Sequence, residues 1–195
     1  MSPSVISAVR PVAEIVPFDP KTHLQGAVEA LLRLRRAGGL YPPRNVKAAI
    51  SDFAYWLLSE EVLGRWVALI DGQVAGHIAL TAPHPYLTDA LASMDQVPVE
   101  PDGFCEVSKF FVDPDAQDRG VGAALFDAAI GFARSQGLQP ALAVVDTSLA
   151  ARRFFGRHGM TEAGSLRGIH GEKFVFVGAA KTVWRREPAV TARAA

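Results

Sequence analysis

Apolar positions along the chain switch between the two spacings that distinguish strands from helices, and that alternation predicts the elements. Val12 to Val16 reads as a first strand ending at Pro17. Ala27 to Arg36 then places Val28, Leu31, Leu32 and Arg35 at helical spacing, with Gly38 and Gly39 as a stop. A second helical segment begins near Asn45, an N-cap residue, with Val46, Ile50, Phe53 and Leu57 on one face. Leu40, Tyr41, Pro42, Pro43 and Arg44 separate the two and continue neither. Trp66–Ile70 and Val74–Leu80 are β-branched or apolar runs around Asp71, Gly72 and Gln73, which predicts a hairpin with glycine at a positive φ. The proline-broken stretch Thr81–Gly103 holds at most a short helix near Asp89–Ser93; a loop this long inside a compact domain is often functional.

The second half is more regular. A strand from Glu106 to Val112 turns through Asp113, Pro114 and Asp115 and reaches Gln117, Asp118, Arg119, Gly120, Val121 and Gly122. A helix follows over Ala123–Gln136, with Leu125, Ala129, Phe132 and Ala133 inward and Gly137 closing it. Ala141–Asp146 is a short, continuously apolar strand, as expected where both sheet faces are covered. Leu149–His158 forms another helix behind the candidate caps Thr147 and Ser148 and stops at Gly159; Met160–Leu166 and Lys173–Val177 close the pattern as strands. This order argues an α/β (α+β) domain: a mixed sheet with helices on both faces, spanning residues 12–178 between tails 1–11 and 179–195.

Composition narrows the function. At 195 residues and 49% hydrophobic positions, one sizeable core is within reach. Twenty basic residues balance twenty acidic ones, so no overall field draws the chain to nucleic acid or an anionic membrane, and any anion site must be local. The lone cysteine, Cys105, excludes an internal disulfide, and no zinc-ligand cluster is visible, so no metal is expected. Without an apolar run long enough to span a bilayer or a signal-peptide pattern, the expected location is cytoplasmic.

The residues 117–122 carry the sharpest chemical signal. A strand that turns into a helix through two glycines exposes main-chain N–H groups at a helix N-terminus, where the dipole favours a pyrophosphate. Gly120 and Gly122 lack a Cβ, which lets a ligand approach the backbone; the same glycines also suit an ordinary strand-to-helix loop. A Rossmann reading fits less well, since its glycine turn is expected early, with an acidic residue about twenty positions on.

The glycine turn, the preceding Phe110-Phe111-Val112-Asp113-Pro114, and the run Ala151–Met160 (Ala-Arg-Arg-Phe-Phe-Gly-Arg-His-Gly-Met) together resemble the GNAT superfamily of acyl-CoA-dependent N-acetyltransferases. The turn is similar to that family's Q/R-x-x-G-x-G/A loop, and the later run to its A-x-x-F-Y-x-x-x-G-F helix; the clear match covers about Arg65 to Met160. The resemblance implies a GNAT fold of six to seven strands with a V-shaped split between the fourth and fifth. It implies acetyl-CoA as co-substrate, with main-chain N–H groups from Asp118 to Ala123 on the pyrophosphate and Gln117 and Arg119 assisting. Phe110, Phe111 and Val112 would border the pantetheine, the backbone of Phe110 and Val112 bonding its amides like an added strand.

For chemistry, the resemblance nominates Glu106 as general base, with burial raising its pKa; the alternative is a structural glutamate paired with a Lys or Arg. The family's acid is a tyrosine, and this chain has Phe155 there, which can pack on the cofactor but donates no proton. Ser148 is a cofactor hydrogen-bond candidate and equally a helix cap. His84, Tyr86 and the loop Tyr41 to Arg44 lie where the family places acceptor-binding elements, and His77 on the third strand is either an acceptor contact or, the favoured alternative, a satisfied core or surface histidine. The expected partner is a small-molecule amine attacked directly in a ternary complex, with no nucleic acid or membrane partner; a homodimer is a family-level expectation. A protein or peptide amine, or a non-catalytic acyl-CoA-binding module, are the alternatives.

Overall fold

The computed structural model describes residues 12–38, 49–94, 103–145, 147–168 and 171–178. Strand β1 (Glu14–Pro17) leads into α1 (Pro20–Arg36) and α2 (Ile50–Leu58), then the hairpin β2 (Val62–Ile70) and β3 (Gln73–Thr81). Helix α3 (Pro85–Ala92), β4 (Phe104–Val112), a 3-10 turn at Pro114–Ala116, α4 (Val121–Ser135), β5 (Gln139–Val145), α5 (Leu149–Arg157), β6 (Met160–Gly168) and β7 (Gly171–Gly178) complete it. The expected element order is present, with two helices differing in extent. Helix α1 starts a full two turns earlier than its apolar face suggests, because Pro20 occupies the first turn and the Asp19 carboxylate accepts from Lys21 N–H at 2.9 Å. Helix α3 starts at Pro85 rather than Asp89 for the same reason, with His84 as its cap. It has eight residues, too few to persist alone. Burying Leu87 and Leu91 completely, at roughly 1.5–3 kcal/mol each, holds it. The Asn45 and Val46 start expected for α2 lies outside the described residues, and Ile50 is 67% exposed rather than inward.

The strands form one mixed sheet in the order β1-β2-β3-β4-β5-β7-β6. Helices α1 and α2 pack on one face through Ala27, Leu31, Phe53 and Leu57, and α3 joins that face over Phe104, Ala141 and Val175. The other face is covered by α4 and α5, with Leu125, Phe126, Ala129 and Phe155 against Ile78, Val107 and Leu142. The β2–β3 turn is a two-residue one at Asp71 (φ 51°) and Gly72 (φ 76°), the mirror-image turn whose twist matches a hairpin.

Two features of β4 shape the site. Its parallel pairing with β5 is confined to Phe104↔Gln139, Cys105↔Pro140 and Glu106↔Ala141, after which the two strands part. Against β3, Ser108 faces Ala79 but Phe111 faces His77, so one extra residue bulges at Lys109, whose φ is 49°. His77 Nδ1 lies 2.7 Å from the Lys109 carbonyl, which can only accept, so Nδ1 carries the proton and donates. The His77 ring is sealed, stacked on Phe111 at 5.5 Å and edge-on to Phe18 at 5.4 Å. The Lys109 ammonium, itself buried, reaches Glu60 at 3.3 Å and the Leu57 carbonyl at 3.4 Å.

Burial, against the opposing pull of the Lys109 bond, lowers the His77 pKa to about 3. Below pH 6.5 the unfolded chain therefore takes up a proton that the folded chain refuses, and stability falls as pH drops from 6.5 towards 3. His77→Phe is expected to flatten that slope in urea midpoints while costing about 1–3 kcal/mol at neutral pH, because the Lys109 carbonyl loses its donor. In Gly76→Ala the added Cβ would meet Leu125 Cδ1 and the Phe111 carbonyl, both at 2.9 Å. A loss of about 1–3 kcal/mol in the same measurement is expected there.

Candidate active site

Glu106 stands at the last β4–β5 pair, where the strands separate, and strand alternation turns its side chain to the face carrying α1, α2 and α3. Helix α3 delivers its partners. The His84 N–H donates to Oε2 at 2.8 Å and the Tyr86 hydroxyl to Oε1 at 3.1 Å. His84 itself caps the helix, its Nδ1 accepting from Tyr86 N–H at 3.3 Å. Desolvation raises the Glu106 pKa, and the two donors only partly offset it. Burial and the neighbouring Glu106 charge push the Tyr86 phenol up as well, so it stays protonated and serves as a donor. A half-buried carboxylate held by two donors, with a raised pKa, is a stronger proton acceptor than an ordinary glutamate.

Beyond Glu106 the edge of β4 facing β5 is open. The Asp113 N–H donates to the Ala75 carbonyl at 2.9 Å on the β3 side, so alternation turns the peptide groups of Val112 and Phe110 towards the split. The bulge places the Phe110 and Val112 side chains against α4 and α5, while Phe111 goes to the opposite face. This corrects the expectation for Phe111, whose ring stacks on His77 away from the glycine turn.

The glycine turn is assembled from below by Asp113, which is 4% exposed. Its carboxylate accepts from Asp115 N–H at 3.0 Å and from Arg33 Nε at 2.7 Å, tying the turn to the end of α1. Asp118 (φ 56°) and Gly120 (φ 79°) then take left-handed conformations, and α4 begins without a side-chain cap. Ala124 N–H is the first to bond within the turn, to the Gly120 carbonyl at 3.0 Å, which leaves the N–H groups of Val121, Gly122 and Ala123 without intrahelical acceptors. A Cβ added at Gly120 would meet nothing within 4 Å, so the approach is open. These residues fit a diphosphate: three amides, an open face and the positive end of a helix. Val121 contributes only its N–H, its side chain being buried, whereas Gln117 and Asp118 are exposed. Arg119, also exposed, lines a cavity of about 460 Å³ with Arg33, Asp113 and Asp115, reaching back to Gln73 and Ala75 on the β3 side of β4. That cavity is separate from the split.

Ser148 occupies the cap position of α5 but makes no side-chain capping bond, its φ and ψ being −92° and 65°. Phe155 lies 7% exposed in the core among Phe110, Phe126 and Phe176. The preceding Phe154 reaches the glycine turn beside Phe110, each ring 3.6 Å from where a Gly122 Cβ would stand, and Phe154 stacks on His158 at 4.1 Å. That neighbour was missed because the family signature draws attention to the next position. Of the acceptor residues expected from sequence, Tyr86 and His84 meet at Glu106. His77 does not line a surface: it is 0% exposed and occupied with the bulge, the satisfied core histidine of the two alternatives rather than an acceptor contact. Tyr41 and Arg44 lie outside the described residues. Cys105, next to Glu106 in sequence, points into the opposite core, and burial pushes its thiol up to about 12, too high for a nucleophile. Lys109, Arg65 and Ser108 were not legible as neighbours, because they come to the face of Glu106 only through the register of β2 and β4 on β3.

Among the described residues no helix is long and apolar enough to cross a membrane. No curated protein is close enough in sequence to count as a relative. Among solved structures, the chain resembles an acetyltransferase of the GNAT family from Staphylococcus aureus Mu50 with 16% identity and a TM-score of 0.60, covering 87% of this chain and 100% of that one. It resembles a GNAT acetyltransferase from Streptococcus pneumoniae with 18% identity and a TM-score of 0.61, covering 87% and 100%. It also resembles the ribosomal-protein alanine N-acetyltransferase from Escherichia coli with 15% identity and a TM-score of 0.63, covering 91% and 99%. At these identities the likeness establishes the fold, and the split sheet with its glycine turn is that fold. The family model of the GNAT acetyltransferases matches residues 29–160, from the middle of α1 to the start of β6, and the chain belongs to that family.

Proposed function

We propose that the protein transfers acetyl from acetyl-CoA to the primary amine of a small molecule, by direct attack within a ternary complex. Family membership supports an acyltransferase. The observation that carries the finer reading is Glu106, a carboxylate of raised pKa at the point where β4 leaves β5. Acetyl-CoA, when bound, supplies a thioester activated towards amines. The open edge of β4 at Phe110 and Val112 orients its pantetheine, and the amides of Val121, Gly122 and Ala123 hold its diphosphate. Glu106 takes the proton from the acceptor's ammonium, directly or through a water, leaving the neutral amine that attacks. The new C–N bond forms as the C–S bond breaks. Phe155 donates no proton, so the departing thiolate takes its proton from solvent or from the amine nitrogen. A covalent acyl-enzyme is disfavoured, since the lone thiol is buried and hard to ionise. The small-molecule acceptor rests on the neutral net charge and on the side-chain cluster around Glu106.

Release of coenzyme A thiol across an amine panel tests this reading. Glu106→Gln is expected to lower kcat/KM by about 10²- to 10⁴-fold with folding intact, because the amide keeps the shape of the carboxylate, its oxygen still accepts from the His84 N–H, and the Tyr86 hydroxyl can accept from its NH₂. Tight acyl-CoA binding with no turnover on any amine, and no effect of Glu106→Gln, would support a binding module instead. The acid limb of the pH profile should lie above the ordinary glutamate value of 4.5. Tyr86→Phe should move it further up, because the lost hydroxyl donor favours the ionised form.

A further inference from the structure

The face that presents Glu106 carries a second, unused group. Arg65 on β2 stands opposite Ala79, and Ala79 opposite Ser108 on β4, so Arg65 and Ser108 share that face. The guanidinium is half-buried, with Cζ 5.2 Å from the centre of the Phe18 ring, and burial lowers its pKa. Yet among the described residues it has no counterion. The ion pairs among the described residues are Arg33–Asp113, Lys109–Glu60 and Arg152–Glu162, and the one acid whose charge Arg65 feels, Glu60, is engaged by Lys109 at 3.3 Å. Arg65 Nε is buried with no hydrogen-bond partner, and so are Ser108 Oγ and His77 Nε2 nearby. Buried polar atoms are nearly always paired, and a cation drawn from water without a counterion is costly. Arg65 Nε and Ser108 Oγ, on the face that carries the candidate base, mark a place that a ligand completes, whereas His77 Nε2 belongs to a sealed ring.

We propose that Arg65 binds a carboxylate carried by the acceptor, so that the substrate is an amino-acid-like amine. The inference rests on the acetyltransferase reading above. A guanidinium fork matches a carboxylate bidentately, which an ammonium does not. Two inter-strand spacings and two residues of strand rise separate Arg65 from Glu106, on the order of 12 Å between Cα positions. A small molecule with its carboxylate at Arg65 and its amine at Glu106 would have to bridge that interval across Ala79 and Thr81 of β3. The anion is not a coenzyme A phosphate, because the glycine turn lies beyond the far end of β4, past Val112.

The test compares amino acids with their carboxamides and decarboxylated amines at saturating acetyl-CoA. The wild type should prefer the carboxylate by about 10- to 100-fold in kcat/KM, with the difference in KM. Arg65→Gln should erase the preference while leaving the carboxamide rate nearly unchanged, and Arg65→Lys should keep part of it. Equal rates for acid and amide in the wild type, or a variant that lowers both alike, overturns the proposal even if acetyl transfer itself stands. If no amine turns over, the acetyltransferase reading fails separately. Titration calorimetry with N-acetylated amino acids and their amides then decides: binding at least tenfold tighter for the acid in the wild type but not in Arg65→Gln supports the proposal, and equal binding overturns it.

Discussion

The interruption of β4–β5 pairing after Glu106↔Ala141 is the constraint on which the rest depends. A continuous parallel ladder would satisfy the peptide groups of Phe110 and Val112 internally and leave nothing for a ligand to bond. Parting the strands leaves those groups unpaired, a cost that the remainder of the structure must sustain. It does so on both sides of β4. The bulge at Lys109, fixed by the His77 donor and by the ammonium's contact with Glu60, sets the course of the strand beyond Ser108. Arg33 and Asp113 fix where the strand ends.

The same arrangement separates tasks by face. One face, under α4 and α5, is packed with Phe110, Phe126, Phe154 and Phe155 and offers main-chain groups at the glycine turn. The other carries the ionisable side chains Glu106, Lys109 and Arg65, between the helices α1 and α2 on one flank and α3 on the other. Glu106 sits where the faces communicate through the split. Its raised pKa follows from that placement, because α3 excludes water around it while presenting only a main-chain N–H and a phenol.

Much of this was legible in the sequence where local rules decide. The hairpin at Asp71 and Gly72, the helix stops at Gly137 and Gly159, and the glycine turn are set by residues that accept positive φ. The two helix starts were harder, since Asp19-Pro20 and His84-Pro85 signal a cap without any apolar period to announce it. The bulge was not legible at all: nothing in Ser108-Lys109-Phe110 marks it, and it reassigns Phe111 and Lys109 to a different face from the one alternation predicts. His77 shows the same limit. Its place on β3 was readable, but its burial depends on Phe18 and Phe111, distant in sequence. The cluster of Arg65, Ser108 and Glu60 exists only through cross-strand register.

Cys105 has a consequence for the product as well as for the mechanism. The chain contains a single cysteine, it is fully buried, and its pKa is pushed to about 12. In the reaction proposed above, a released coenzyme A thiol would meet no exposed cysteine of this chain with which to form a mixed disulfide. Under that proposal, turnover would not depend on keeping a protein thiol reduced.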